Sequence, residues 1–195
     1  PLTVTQMLWV NLIMDTFAAL ALASLPPSRK VMDEQPRSES EQLLKGMGTF
    51  IIGVGGLFSL FLLGLCICFQ HTNISCLTDF FTGKVVWGDN NGLSSYELGL
   101  FFTVFVMLQF WNMFNAKAYM SGRSAFHFKN CGSFLLIAAI ILAGQVAIVT
   151  FGGKMFSVTP LSVADWVVMI ALTSLVMILG ELARFANNHC IKAKA

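Results

Sequence analysis

Two residues carry most of the chemistry legible in this chain. Asn11 and Asp15 stand four apart inside an apolar stretch. At that spacing on a helix both side chains lie on one face. Together they turn an amide oxygen and a carboxylate toward a single point. Oxygen ligands of this kind suit hard cations, and calcium, with roughly 6–8 oxygens in flexible geometry, fits best. The pair supplies at most three of them, so other helices must complete the shell. An aspartate in such a place also takes up a proton when no metal is bound, which makes counter-transport physically accessible. The competing reading is helix–helix glue, worth about 1 kcal/mol for an intramembrane amide.

Other polar residues interrupt apolar stretches. Gln109, Asn112 and Asn115 follow one another closely, and Gln109 and Asn112 can share a face. Neutral amides more often bridge helices than bind ions. Glu181 has Arg184 one turn on, which predicts a local ion pair with snorkelling side chains. Asp165 is expected to reach water at a helix N-terminus, where the dipole favours it. The five cysteines, at 66, 68, 76, 131 and 190, and the isolated His71, His127 and His189 read as small apolar filler and interfacial groups. No Ser/His/Asp or Cys/His set suggests a catalytic centre, and no glycine-rich phosphate cradle suggests a bound cofactor.

The elements that hold these residues are membrane helices. Hydrophobic residues make up 56% of the 195, and charged residues 11%, against roughly a quarter in soluble domains. Such a chain is neither a disordered tail, a nucleic-acid binder nor a secreted disulfide scaffold, and its partner is the lipid bilayer. Crossing a bilayer core takes about 20 apolar residues. Five segments qualify, at about 7–25, 47–69, 98–116, 131–151 and 163–183. The fold class is therefore all-α integral membrane, with five transmembrane helices and a short extracytoplasmic loop, 70–97, between the second and third. Lys84–Trp87 and the following Gly-Asp-Asn-Asn-Gly predict a short strand and a turn there.

Local signals fall at these boundaries. Pro26-Pro27 ends the first helix. Ser38-x-x-Glu41 and Ser94-x-x-Glu97 read as capping boxes before the second and third. Thr159-Pro160 fits an N-cap and first helical position for the fifth. Gly53, Gly55 and Gly56 predict close helix packing on the second span. Ten of the twelve Lys and Arg residues fall in the 26–46 loop, the 117–130 loop and the C-terminal tail. The positive-inside rule places these segments, and the C-terminus, in the cytosol.

Leu8-Trp9-Val10-Asn11-Leu12-Ile13-Met14-Asp15-Thr16, followed by Ala18-Ala19-Leu20-Ala21-Leu22-Ala23 and Pro26-Pro27, closely resembles the sixth transmembrane helix of P-type calcium-transporting ATPases. Phe102 to Gln109-Phe110 and on to Asn115-Ala116-Lys117 is similar to the eighth helix of their plasma-membrane (autoinhibited) branch. Phe151-Gly152-Gly153-Lys154-Met155-Phe156, with Pro160-Leu161 and Asp165-Trp166, is similar to that branch's loop between helices nine and ten. The resemblance implies that residues 1–195 are the C-terminal membrane domain, helices six to ten, of an ATP-driven calcium export pump. Asn11 and Asp15 then become calcium ligands. Asn11 favours calcium where sodium and proton/potassium pumps carry Asp.

Two departures from the two-site reticulum pumps, Met14 in place of Thr and Gln109 in the region of a Glu, imply one calcium per cycle, with Gln109 a further candidate ligand. Proton counter-transport, a plasma-membrane or internal (for example vacuolar) location, and ATP and magnesium bound elsewhere also follow from the resemblance. The phosphorylation and nucleotide domains and the fourth and fifth helices are not in this chain, which reads as a piece of a longer protein. It is not expected to hydrolyse ATP or pump alone. A pump for another cation and a non-catalytic membrane scaffold are the alternative readings.

Overall fold

The computed structural model describes residues 2–26, 48–88, 92–121 and 124–192. Among them are five helical stretches long and apolar enough to cross a membrane: Val4–Ala23, Phe50–Gln70, Ser95–Tyr119, Gly132–Phe151 and Val163–Ala186. The all-helical expectation holds. The expected capping box at Ser38 and Glu41, and all four basic residues of the 26–46 loop, lie outside the described residues.

The first span has three parts. α1 (Val4–Leu8) begins at a capping box in which Thr3 and Gln6 satisfy each other's backbone N–H. A π-helical stretch follows at Trp9–Met14, and α2 (Asp15–Ala23) completes the span. The helix thus starts earlier than hydropathy alone predicts, because the cap lies before the apolar run. α3 (Gly48–Gln70) is the second span. β1 (Thr72–Asn73) pairs antiparallel with β2 (Val86–Trp87), and the short α4 (Asp79–Thr82) lies between them.

α5 (Ser95–Ser121) is the third span, α6 (Gly132–Phe151) the fourth, α7 (Gly153–Phe156) a single turn after it, and α8 (Val163–Lys192) the fifth. α5 is the hub: α2, α3, α6 and α8 all pack against it, α8 most extensively. Phe102, Val106, Phe110 and Phe114 of α5 meet Val10 and Met14 of the first span and Phe134, Ala138 and Ile141 of α6. Phe114 lies edge-on to Phe110 and Phe134, with centroids 5.4 and 5.1 Å apart, an arrangement favoured by ring quadrupoles.

Away from this core, polar side chains tie the helices together. Trp111 Nε1 donates to Thr173 Oγ1 at 3.1 Å. Asn115 Nδ2 donates to the Val176 carbonyl at 3.0 Å. That contact needs Gly180, because a Cβ there would sit 2.3 Å from Asn115 Oδ1. Arg184 reaches Asn115 Oδ1 and pairs with Glu181. The expected Glu181–Arg184 pair is present, and Asn115 bridges helices as a neutral amide should. Lys117, counted as a loop cation from sequence, instead lies on α5 and is 2% exposed. Its Nζ donates to the His127 carbonyl at 2.7 Å and sits 4.8 Å from the Phe128 ring, so an acceptor and aromatic faces compensate its burial.

Two carboxylates organise the segment between the second and third spans. Glu97, 1% exposed, forms the expected capping box with Ser94 and also accepts from the Ile74 N–H at 3.2 Å. Asp165 does not reach water: it is 2% exposed and accepts from the Leu77 N–H at 3.0 Å and from Ser162 N and Oγ. Each anion sits in the first turn of its helix, where N–H groups and the helix dipole stabilise it. Ile74 and Leu77 then pack with Phe69, Leu100, Phe101 and Met169. The cap of α8 is accordingly Ser162 with Asp165, not Thr159-Pro160. Ser162 and Asp165 bond reciprocally, and that fixes the helix start at Val163.

One packing expectation fails within this chain. A Cβ added at Gly53, Gly55 or Gly56 would meet nothing within 4 Å. α3 meets the other spans chiefly at α5, and even Gly55, which lines the crevice between them, has no close neighbour.

Two stability outcomes follow. Asp165→Ala leaves the Leu77 N–H and Ser162 unpaired and should cost about 2 kcal/mol, read as a lower thermal midpoint in detergent and faster proteolysis within 71–88. Gly180→Ala should cost about 1–3 kcal/mol by overpacking, and combining it with Asn115→Ala should recover part of that loss.

Candidate functional site

The first span places Asn11 and Asp15 differently from a regular helix. The Asp15 N–H donates to the Val10 carbonyl, five residues back, so the turn between the two candidate ligands is widened. Such π-helical turns are uncommon and frequently mark functional sites. The widened turn still leaves Asn11 and Asp15 on the same side of the span. Val10 and Met14, each 2% exposed, point into the core with α5 and α6. Asn11 and Asp15, one residue after each of them, are exposed.

The face they share is otherwise apolar, with Leu8, Leu12 and Leu20 all more than half exposed. Neither side chain has a polar partner among the described residues. A carboxylate at mid-membrane costs about 2.5–3.5 kcal/mol, and nothing described in this chain offsets it. Met14 turns its thioether inward, so it does not compete for the same face.

Gln109 is placed elsewhere. It lines a crevice of about 320 Å³ between α3 and α5, together with Asn112, Ser59 and Gly55. Gln109 and Asn112 do share a face, as their spacing predicts. That face turns toward α3, while the neighbouring α5 positions Val106 and Phe110 turn toward Val10 and Met14. The structure thus leaves both Asn11 and Asp15 exposed on the first span and sets Gln109 in a different groove. Asn112 Oδ1 is buried there with no hydrogen-bond partner among the described residues.

Spacing alone did not single out the residues that hold the span against its neighbours. Gln6 is fully buried and its Nε2 donates to the Phe156 carbonyl at 2.7 Å. Trp9 Nε1 donates to Gln145 Oε1 at 3.1 Å. Gln145 lies on the buried stripe of α6 with Phe134, Ala138, Ile141 and Val149. In the sequence it is visible only as a polar interruption in an apolar span. The described residues contain no cluster of three or more His, Cys, Asp or Glu side chains able to hold a metal. A calcium ion on Asn11 and Asp15 would need most of its oxygens from outside these helices.

Comparison with known proteins agrees with this architecture. Residues 1–186 match the family described as cation transporting ATPase, C-terminus. Calcium-transporting ATPase PAT1 of Dictyostelium discoideum is 34% identical over 186 residues, 94% of this chain and 16% of that protein. Plasma membrane calcium-transporting ATPase 2 of Oreochromis mossambicus is 34% identical over 191 residues, 93% of this chain and 16% of that protein. Human plasma membrane calcium-transporting ATPase 3 is 35% identical over 176 residues, 85% of this chain and 13% of that protein. The chain therefore spans a small part of the length of these relatives. With five membrane-length helices and a family match over nearly its whole length, the chain belongs to the C-terminal membrane region of the cation-transporting ATPases.

Proposed function

We propose that this chain forms part of the ion pathway of an ATP-driven calcium export pump. The observation that carries the reading is the Asn11–Asp15 pair. Two oxygen-bearing side chains are held at a widened turn of a membrane span, exposed and without a polar partner among the described residues. A divalent cation bound there would offset the cost of the carboxylate, and the relatives named above as calcium-transporting ATPases support calcium as that cation. The remaining ligands come from helices outside this chain. ATP and magnesium act in phosphorylation and nucleotide-binding domains that are also outside it.

Within this reading one calcium moves per ATP, because Met14 faces the core and presents no oxygen. Asp15 binds a proton when the metal leaves and carries it in the opposite direction. Gln109, seated in the separate crevice against α3, serves the pathway away from that ion and not as one of its ligands. The remaining basic residues of the 26–46 loop, of the segment between α5 and α6 and of the C-terminus favour a cytosolic side for all three, with β1, β2 and α4 on the opposite side of a plasma or internal membrane.

In the intact pump, Asp15→Asn should abolish calcium-dependent phosphorylation from ATP while phosphorylation from inorganic phosphate, measured without calcium, persists. Unchanged calcium dependence would overturn the reading in favour of a scaffold, and stimulation by sodium or potassium would favour a different cation. Asn11→Ala should raise half-saturating calcium by at least about tenfold, since even outer partners of metal sites are worth roughly 10–100-fold. Gln109→Leu should raise it less. Equilibrium binding should give one calcium per phosphorylation site, and two would refute the stoichiometry.

A further inference from the structure

A widened turn inside a long helix needs a reason to persist. Relaxing Trp9–Met14 to regular α-helix would rotate the residues before it against those after it by about 100°, one residue's worth of helical phase. Anchors on both sides oppose that rotation. At its end and beyond, Met14 and Ala21 are buried in the core. Before it Gln6 is tied to the Phe156 carbonyl, and at its first residue Trp9 is tied to Gln145.

The Trp9 contact is built closely. A Cβ at Gly144 would lie 2.8 Å from Trp9 Cη2, so the indole lies against bare backbone beside the residue that accepts its N–H. Gln145 is fully buried, and its Oε1 is the acceptor that Trp9 uses. An indole N–H at this depth has no water to turn to, so losing that acceptor leaves it unsatisfied.

We propose that Gln145 and Gly144 of α6 are positioning residues for the Asn11–Asp15 pair, acting through Trp9 to hold the π-helical turn in register. The proposal rests on the calcium-site reading above. Asn11 lies inside the widened turn and Asp15 heads the regular helix after it. When the Trp9 anchor is lost the turn relaxes and Asn11 shifts against Asp15. The spacing that the anchored turn sets between the two side chains is then lost, and calcium affinity falls although neither ligand has been touched.

The test uses the full-length pump. Trp9→Phe removes the N–H and keeps a ring. Gln145→Met removes the acceptor at similar volume, and Gln145→Glu keeps one. Half-saturating calcium for phosphorylation from ATP should rise about three- to tenfold for Trp9→Phe and for Gln145→Met, the range expected for one hydrogen bond. The double variant should match the single ones, and Gln145→Glu should stay near wild type. Gly144→Ala, which displaces the indole, should raise half-saturating calcium in the same direction. Phosphorylation from inorganic phosphate without calcium, which reports the amount of folded pump, should be unchanged throughout.

Trp9→Phe and Gln145→Met that leave calcium dependence unaltered, that shift it additively, or that lower both phosphorylation reactions together would overturn the proposal. Asp15→Asn, run in parallel, separates the two levels. If it abolishes calcium-dependent phosphorylation while Trp9→Phe and Gln145→Met do nothing, only the positioning role fails. If Asp15→Asn is itself without effect, the calcium-site reading fails.

Discussion

Lipid offers no hydrogen bonds, and that absence governs how this chain arranges its polar atoms. A polar side chain inside a span either finds a partner or remains costly. Trp111 meets Thr173, Asn115 meets the Val176 carbonyl, Lys117 meets the His127 carbonyl, and Trp9 meets Gln145. Each of these contacts also fixes one helix against the next segment. Asn11 and Asp15 depart from the pattern: they sit in a span, carry the strongest ligand chemistry, and face outward. The same constraint that assembles the bundle therefore makes a pair with no partner among the described residues conspicuous.

The bundle is built asymmetrically around α5. That helix is enclosed by four others, while α3 and the outer face of the first span are left open. Bare glycines on α3 and the polar crevice holding Gln109 and Asn112 lie on open surface of the same kind. A chain that spans only a small part of its relatives' length should have such faces, because helices outside it must pack somewhere. The buried stripe of α6 and the aromatic layer around Phe114 pack behind the first span, on the side of Val10 and Met14 and away from the exposed Asn11 and Asp15.

At the opposite end of α5 from Lys117, Glu97 and Asp165 act by the same logic in a different setting. Both carboxylates lie at helix N-termini, both are buried, and both collect backbone N–H groups from the segment that joins the second and third spans. Among the described residues, backbone N–H groups and helix dipoles hold them. Acidic residues near a membrane thus serve opposite purposes in one chain. Glu97 and Asp165 are satisfied and structural, whereas Asp15 has no satisfying group among the described residues.

Hydropathy located all five spans, because apolar run length is a local property that a bilayer reads directly. The Ser94–Glu97 box, the Glu181–Arg184 pair and the shared faces of Asn11 with Asp15 and of Gln109 with Asn112 were equally legible, since each depends on residues three or four apart. The burial of Lys117, the capture of Leu77 by Asp165 and the seat of Gln109 against α3 were not. Each depends on which helix lies alongside, and periodicity carries no information about neighbours. The π-helical turn belongs with these. Its ends are held by long-range contacts, Trp9 with Gln145, 136 residues on, and Gln6 with Phe156, 150 residues on. Ligand types and their spacing are encoded locally, but the direction they face, and the distortion that sets it, come from packing between distant segments.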